Sequence, residues 1–253
     1  MIKFAQQGSV GIVSLNRPEK RNALHPTMVK QLMTRLSELE NEVSVKVVVI
    51  TGEGSSFCAG ADLEYLGNLR KYSLIENEND SSLLADFFQQ IYFFPKPTIA
   101  CVNGPAIAGG CGLATVCDFI FAHPVNSKFG FSEVKIGFIP AIVSIFLIKK
   151  IGEGKATEML LSGDVYDGTK AFNIGLVSYL SEETLNDSIE FGLKLSANSS
   201  QSMYETKKMI KSISNMNVRE AVDYCKRLNV ISRNTNEFKK GIEKYFEKNQ
   251  REK

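Results

Sequence analysis

Three features of the hydrophobic pattern predict an α/β fold with a helical C-terminal region. Short β-branched runs, clearest at Val45 to Thr51 and Thr98 to Val102, are apolar along their whole length, as strands covered on both faces are. Stretches with helical apolar spacing stand between such runs, at the separation of a parallel crossover unit. From Ser181 onward the pattern is helical only. The reading is a repeated strand-and-helix core over 1–195, then a helical region over 196–253.

In chain order, Ile2 to Ala5 and Val10 to Leu15 read as strands joined by a turn at Gln7-Gly8. Asn16 to Asn22 is a polar loop, and His25 marks the boundary of a helix that starts at Pro26 and carries Met28, Leu32, Leu36 and Leu39 on one stripe. After the Val45 strand, Tyr65 to Ser82 reads as polar and irregular, either a mobile loop beside a site or a surface excursion. Leu83 to Tyr92 is an apolar helix stopped by Pro95 and Pro97. Phe119 to Phe121 and Lys128 to Phe131 are further short strands. Ile142 to Ile151, Lys155 to Leu161 and Gly168 to Asn173 are helices separated by Gly-containing turns, with a last strand near Leu176 to Leu180.

Composition excludes several classes. The 253 residues, 43% hydrophobic and 23% charged, suffice for a full core. A net charge of +2 gives no footprint for nucleic acid. Lys207, Lys208 and Lys211 share a helix, but Glu205 and the lack of interleaved aromatics read as a solvated face. The five cysteines form no C-x-x-C pair, and four of them (Cys58, Cys101, Cys111, Cys117) lie in apolar runs, as buried reduced thiols do. The two histidines belong to no ligand-spaced cluster, so no metal is expected. No apolar signal segment or bilayer-length run is present, and a soluble, cytoplasmic protein without a membrane partner is expected.

The chemistry-bearing stretch runs from Thr98 to Pro140. The strand Thr98 to Val102 leads to Gly109-Gly110, where an apolar helical pattern begins. A glycine pair there exposes bare backbone, and the first N–H groups of a helix have no partner of their own. A tight turn alone would also need glycine. The upstream stretch Phe57-Cys58-Ala59-Gly60-Ala61-Asp62-Leu63 repeats the arrangement after the Val45 strand, and two such strand ends can converge on one oxygen.

These paired stretches resemble the signature of the crotonase (enoyl-CoA hydratase/isomerase) superfamily over nearly the whole chain, locally most like bacterial methylglutaconyl-CoA and enoyl-CoA hydratases. The resemblance implies a crotonase-like (ββα) superhelical core that binds acyl-CoA and a C-terminal region that trimerises, giving a homotrimer or a dimer of trimers. It places the two oxyanion N–H groups on Ala61 and Gly109, and a catalytic carboxylate on Glu133. It further assigns substrate contacts to Lys20, Arg21, Ala23, Ala59, Asp62, Leu63 and Gly110, and to Tyr245 and Lys248 near the C-terminus. Coenzyme A is then part of the substrate, and no separate cofactor is implied.

Alternatives stay open on the residues themselves. Glu133 could be a capping carboxylate paired with Lys135 or Lys128, and Asp62 could serve the nearby backbone N–H groups. The chain departs from the typical hydratase pattern at Gly112, where a first glutamate stands in the family. Hydration of a 2-enoyl-CoA through Glu133 is the leading expectation, 3-enoyl to 2-enoyl-CoA isomerisation by Glu133 alone the alternative, and a non-catalytic CoA- or RNA-binding protein the third reading.

Overall fold

The structure is a computed structural model that describes residues 1–251, without the side chains of Leu63, Lys244 and residues 248–251. It contains two compact units, Met1–Ser196 and Ala197–Lys253.

The first unit opens with β1 (Ile2–Gln7) and β2 (Val10–Leu15), an antiparallel pair. Helix α1 (Pro26–Asn41) follows; the Nδ1 of His25 accepts the Thr27 N–H at its N-terminus, and Pro26 occupies the first turn, where its missing N–H costs nothing. Then come β3 (Val47–Gly52), α2 (Leu63–Leu69), α3 (Leu74–Tyr92), β4 (Thr98–Val102), β5 (Pro105–Ile107), α4 (Gly109–Val116), β6 (Phe119–Ala122) and β7 (Lys128–Gly130). The unit closes with α5 (Ala141–Ser162), β8 (Val165–Asp167), α6 (Gly168–Asn173), β9 (Tyr179–Leu180) and α7 (Thr184–Ser196).

The main sheet has six strands in the order β1-β2-β3-β4-β6-β9, parallel from β2 onward. Both its faces are covered, which is why its central strands are apolar throughout. Val48, Ile50, Ala100 and Val102 join the large core that includes Leu32, Leu36, Phe88 and Leu147. Val47, Val49, Ile99 and Cys101 face the other way, in a cluster with Phe121 on which Phe191 and Leu195 of α7 pack. Cys58, Cys101, Cys111 and Cys117 are buried free thiols.

A second sheet, β5-β7-β8, was not legible in the sequence. The sequence predicts β7, as the strand Lys128 to Phe131, but not β5 or β8; each strand has three residues, too few for a period that would reveal the pairing. The segment 65–82, expected to be irregular, is mostly helical. Ser73 and Glu76 form a reciprocal capping box, with the Ser73 hydroxyl accepting the Glu76 N–H and the Glu76 carboxylate accepting the Ser73 N–H, so α3 starts nine residues before Leu83. Over 141–162 the two expected helices run on as α5, with the break confined to Gly152 (φ 77°, ψ 161°).

The second unit consists of α8 (Ser200–Ile213), α9 (Val218–Arg233) and α10 (Asn236–Arg251). Ser199 and Asn217 cap α8 and α9 through their side-chain oxygens. Neither α8 nor α9 contains a buried residue, and Val218, Val222 and Ile231 are exposed.

Replacing Ser73 by Ala removes half of the capping box and should lower stability by about 1 kcal/mol. Urea denaturation measures the loss, and amide hydrogen exchange should quicken over residues 74–78 with the rest of the core unchanged.

Candidate active site

The loops that follow β3 and β4 are stitched to each other. Cys58 donates its N–H to the Pro105 carbonyl (3.0 Å), and Ile107 donates to the Cys58 carbonyl (3.0 Å). The first loop is stitched in the same way to the segment before α1. Leu24 donates to the Gly60 carbonyl (2.6 Å) and accepts from the Asp62 N–H (3.0 Å). In this pattern the Ala61 N–H points away from Leu24. Among the described residues, neither the Ala61 N–H nor the Gly109 N–H donates to a protein acceptor. The residues that carry them meet: a β-carbon on Gly60, next to Ala61, would stand 3.6 Å from the Gly109 nitrogen. Two uncommitted donors at adjoining strand ends, one of them opening α4, form a place where negative charge on an oxygen is stabilised.

Asp62 holds the first loop in position. Its Oδ1 accepts the N–H groups of Glu64 (3.0 Å) and Tyr65 (3.3 Å) at the start of α2, and its Oδ2 accepts from Arg17 Nη2 at 2.9 Å. Burial pushes this carboxyl up, but the Arg17 hydrogen bond, the two backbone donors and the Arg17 charge together outweigh it and hold the pKa below the usual value. Asp62 thus serves nearby backbone N–H groups, the structural reading of this residue, and is held by Arg17 as well. Arg17 also donates to the Ala23 carbonyl (3.0 Å). Asn22, fully buried at φ 55°, donates to the carbonyls of Glu53 and Ser56.

Glu133 comes from the second sheet. Ala108 donates its N–H to the Gly130 carbonyl at the end of β7 (2.7 Å), and Glu133 opens a short 3-10 turn three residues later. The residue is 9% exposed, and its Oε2 is buried with no hydrogen-bond partner among the described residues. Among the described residues, Glu133 forms no ion pair with Lys135 or Lys128, the partners of its alternative reading. Burial raises the Glu133 pKa, against a smaller opposing pull from its own backbone N–H.

At Gly112 the apolar core takes the room a side chain would need. A β-carbon there would lie 2.2 Å from Val143 Cγ1 and 3.5 Å from Phe88 Cζ. No second carboxylate can project from this position of α4 as α5 now packs.

The remaining expected residues fall in three groups. Ala59, Gly110 and Ala23 lie in the stitched loops: Ala59 donates to the Arg21 carbonyl (3.0 Å), and Gly110 and Ala23 are buried. Lys20 and Arg21 are exposed on the turn Pro18–Lys20 and its C-terminal end, with Lys20 Nζ 3.9 Å from Glu64 Oε2, a surface pair of little energetic weight. Tyr245 is exposed on α10 in the second unit. The side chains of Leu63 and Lys248 lie outside the described residues. Sequence reasoning missed Arg17, Asn22 and Val143. Only Asn22 carried a signal, as a residue that tolerates positive φ in a polar turn.

Known proteins share this chain's sequence pattern and fold. The sequence profile of the enoyl-CoA hydratase/isomerase family matches residues 5–252. A Thermus thermophilus protein bearing an enoyl-CoA hydratase designation is 36% identical over 96% of each chain. The 2,3-dehydroadipyl-CoA hydratase of Escherichia coli is 30% identical over 96% of this chain and 94% of its own. The crystal structure of an enoyl-CoA hydratase from Polaromonas sp. JS666 superposes with a TM-score of 0.93 at 28% identity, covering 98% of this chain and 97% of that one. The chain belongs to the enoyl-CoA hydratase/isomerase family, within the crotonase superfamily, and is an enzyme. No helix among the described residues is long and apolar enough to cross a membrane.

The raised Glu133 pKa fixes the sign of a pH effect. Between the ordinary value of 4.5 and the higher folded value, the native state holds a proton that the unfolded chain has released, so stability falls as pH rises through that window. Glu133→Gln should therefore melt above wild type at pH 7, with the gap closing toward pH 4; equal melting temperatures at both pH values would contradict the burial of an ionisable carboxyl. Gly112→Glu should lose stability, since overpacking a filled core costs about 1–3 kcal/mol, and Val143→Ala in the same chain should restore part of it. Both are read by denaturant unfolding.

Proposed function

We propose that the protein is an enoyl-CoA hydratase that adds water across the double bond of a 2-enoyl-CoA. The observation that carries this reading is a buried carboxyl, Glu133, with one oxygen unpartnered, in the same loop cluster as the uncommitted N–H groups of Ala61 and Gly109. Glu133 takes a proton from water as the water oxygen bonds to C3. The electron pair of the double bond moves to the thioester oxygen, and the enolate is held by the two backbone donors. The same carboxyl then returns the proton to C2 and restores the thioester. A raised pKa suits this alternation, because burial favours the protonated carboxyl that stands between taking the proton from water and returning it to C2. The hydratase names of the relatives support the choice.

Coenzyme A enters as part of the substrate, with no separate cofactor. Lys20 and Arg21 are free to reach its phosphates, Ala23, Ala59, Leu63 and Gly110 shape the entry, and Asp62 acts by holding Ala61. Tyr245 and Lys248 reach a neighbouring subunit's coenzyme in a homotrimer or dimer of trimers formed through 196–253. Helices with no buried residue and exposed valines and isoleucines support such an assembly. The protein works in the cytoplasm, without nucleic-acid or membrane partners.

One observation favours a second reading. With Val143 closing the space beside Gly112, a single carboxylate serves the site. Moving a proton from C2 to C4 of a 3-enoyl-CoA needs only one.

Glu133→Gln should abolish turnover while coenzyme A thioesters still raise the melting temperature. Wild type should hydrate a short 2-enoyl-CoA faster than it isomerises the 3-enoyl isomer. A ratio of specific activities favouring isomerisation by more than about tenfold, or roughly 1.4 kcal/mol between the two transition states, establishes the second reading instead. Sedimentation at working concentration should give a trimer or hexamer; a monomer would remove the roles of Tyr245 and Lys248.

A further inference from the structure

Ala108 precedes the Gly109 donor and has φ 52° and ψ −123°, a conformation that side chains bearing a β-carbon rarely adopt. Glycine would fit there without strain, yet the chain carries alanine. The conformation is imposed from both sides. The Ala108 N–H is tied to the Gly130 carbonyl (2.7 Å), and its own carbonyl accepts the Gly112 N–H (3.0 Å) in the first turn of α4.

The methyl group has a definite neighbour. A β-carbon built on Gly60 would stand 3.0 Å from Ala108 Cβ and 2.8 Å from the Ile107 carbonyl oxygen, so the methyl lies over the bare face of Gly60. Gly60 has φ 90° and precedes Ala61. The methyl thus sits between the two residues that immediately precede the two donors.

We propose that Ala108 is a positioning residue, whose strained methyl group is the spacer that sets the separation and direction of the Ala61 and Gly109 N–H groups. The proposal rests on the oxyanion role given to those groups, and holds for hydration and isomerisation alike. Donors that stabilise a developing enolate act through fixed placement, and small displacements are felt in the transition state more than in substrate binding. Strain and catalysis then pull in opposite directions. Glycine at 108 relieves the backbone and leaves the strand ends free to shift by the width of a methyl group.

The test compares Ala108→Gly with Ala108→Ser, which keeps the β-carbon. The readouts are kcat and KM on the better of the 2-enoyl and 3-enoyl substrates, the melting temperature, and the enolate absorbance of bound acetoacetyl-CoA, a thioester that ionises to a stable enolate. Ala108→Gly should lose about tenfold or more in kcat with KM little changed, bind acetoacetyl-CoA with a smaller enolate fraction, and melt no lower than wild type. Ala108→Ser should keep the wild-type enolate fraction and most of kcat. A glycine variant with wild-type kcat and enolate fraction overturns the spacer, as does a serine variant that loses as much as glycine. A glycine variant that fails to fold overturns the assignment of strain. Wild-type protein that binds acetoacetyl-CoA without raising its enolate fraction removes the oxyanion reading itself, and the spacer with it.

Discussion

The backbone of Gly110 approaches the Cys58 carbonyl so closely that a β-carbon would stand 2.0 Å from its oxygen. That contact is the constraint on which the rest of the site depends. It brings the end of one strand-loop unit onto the end of the next, and lets Cys58 exchange backbone hydrogen bonds with Pro105 and Ile107 at the same place. Buried backbone groups must find partners, and here each loop supplies the other's. The N–H groups of Ala61 and Gly109 are among the donors this exchange leaves over. A side chain at 110 would part the loops and scatter the pair.

Two carboxylates flank this junction in opposite electrostatic states. Asp62 is buried, yet kept ionised by Arg17 and by the N-terminus of α2. Its Coulomb energy offsets its desolvation, and removing Arg17 would leave a buried charge uncompensated. Glu133 is buried without such partners, so its proton is held more tightly. One group is fixed and serves as a strut; the other is free to exchange a proton. Residue type alone does not separate these roles, since both are acidic residues beside a glycine-bearing loop.

The same point sets the boundary of what the sequence disclosed. The covered strands at 47–52 and 98–102, the stripe on α1 and the glycine pair at 109–110 are written in local spacing and were read from it. The capping box at Ser73 was also local, but the acidic and amide-rich run behind it masked the helix. Arg17 meets Asp62 across 45 positions and Asn22 meets Ser56 across 34, and no local pattern encodes such meetings. Val143 belongs with these: nothing in Ala141-Ile142-Val143 indicates that its methyl lies against Gly112. Sequence reading thus picked out the residues proposed as donors and acid, but not the distant contacts that fix their surroundings.

Confinement has a chemical consequence. A second carboxylate beside Glu133 would raise its pKa by like-charge repulsion, and each group's charge would depend on the other's. Val143 and Phe88 leave no room for such a group at Gly112, and the pKa of Glu133 is raised chiefly by burial. On the proposed mechanism, one carboxyl handles every proton the reaction moves. The distance its two oxygens can span, measured from an enolate pinned at Ala61 and Gly109, bounds which carbon or water molecule can exchange a proton. The choice of reaction therefore lies in how the acyl chain is laid across Glu133, more than in the identity of the acid itself.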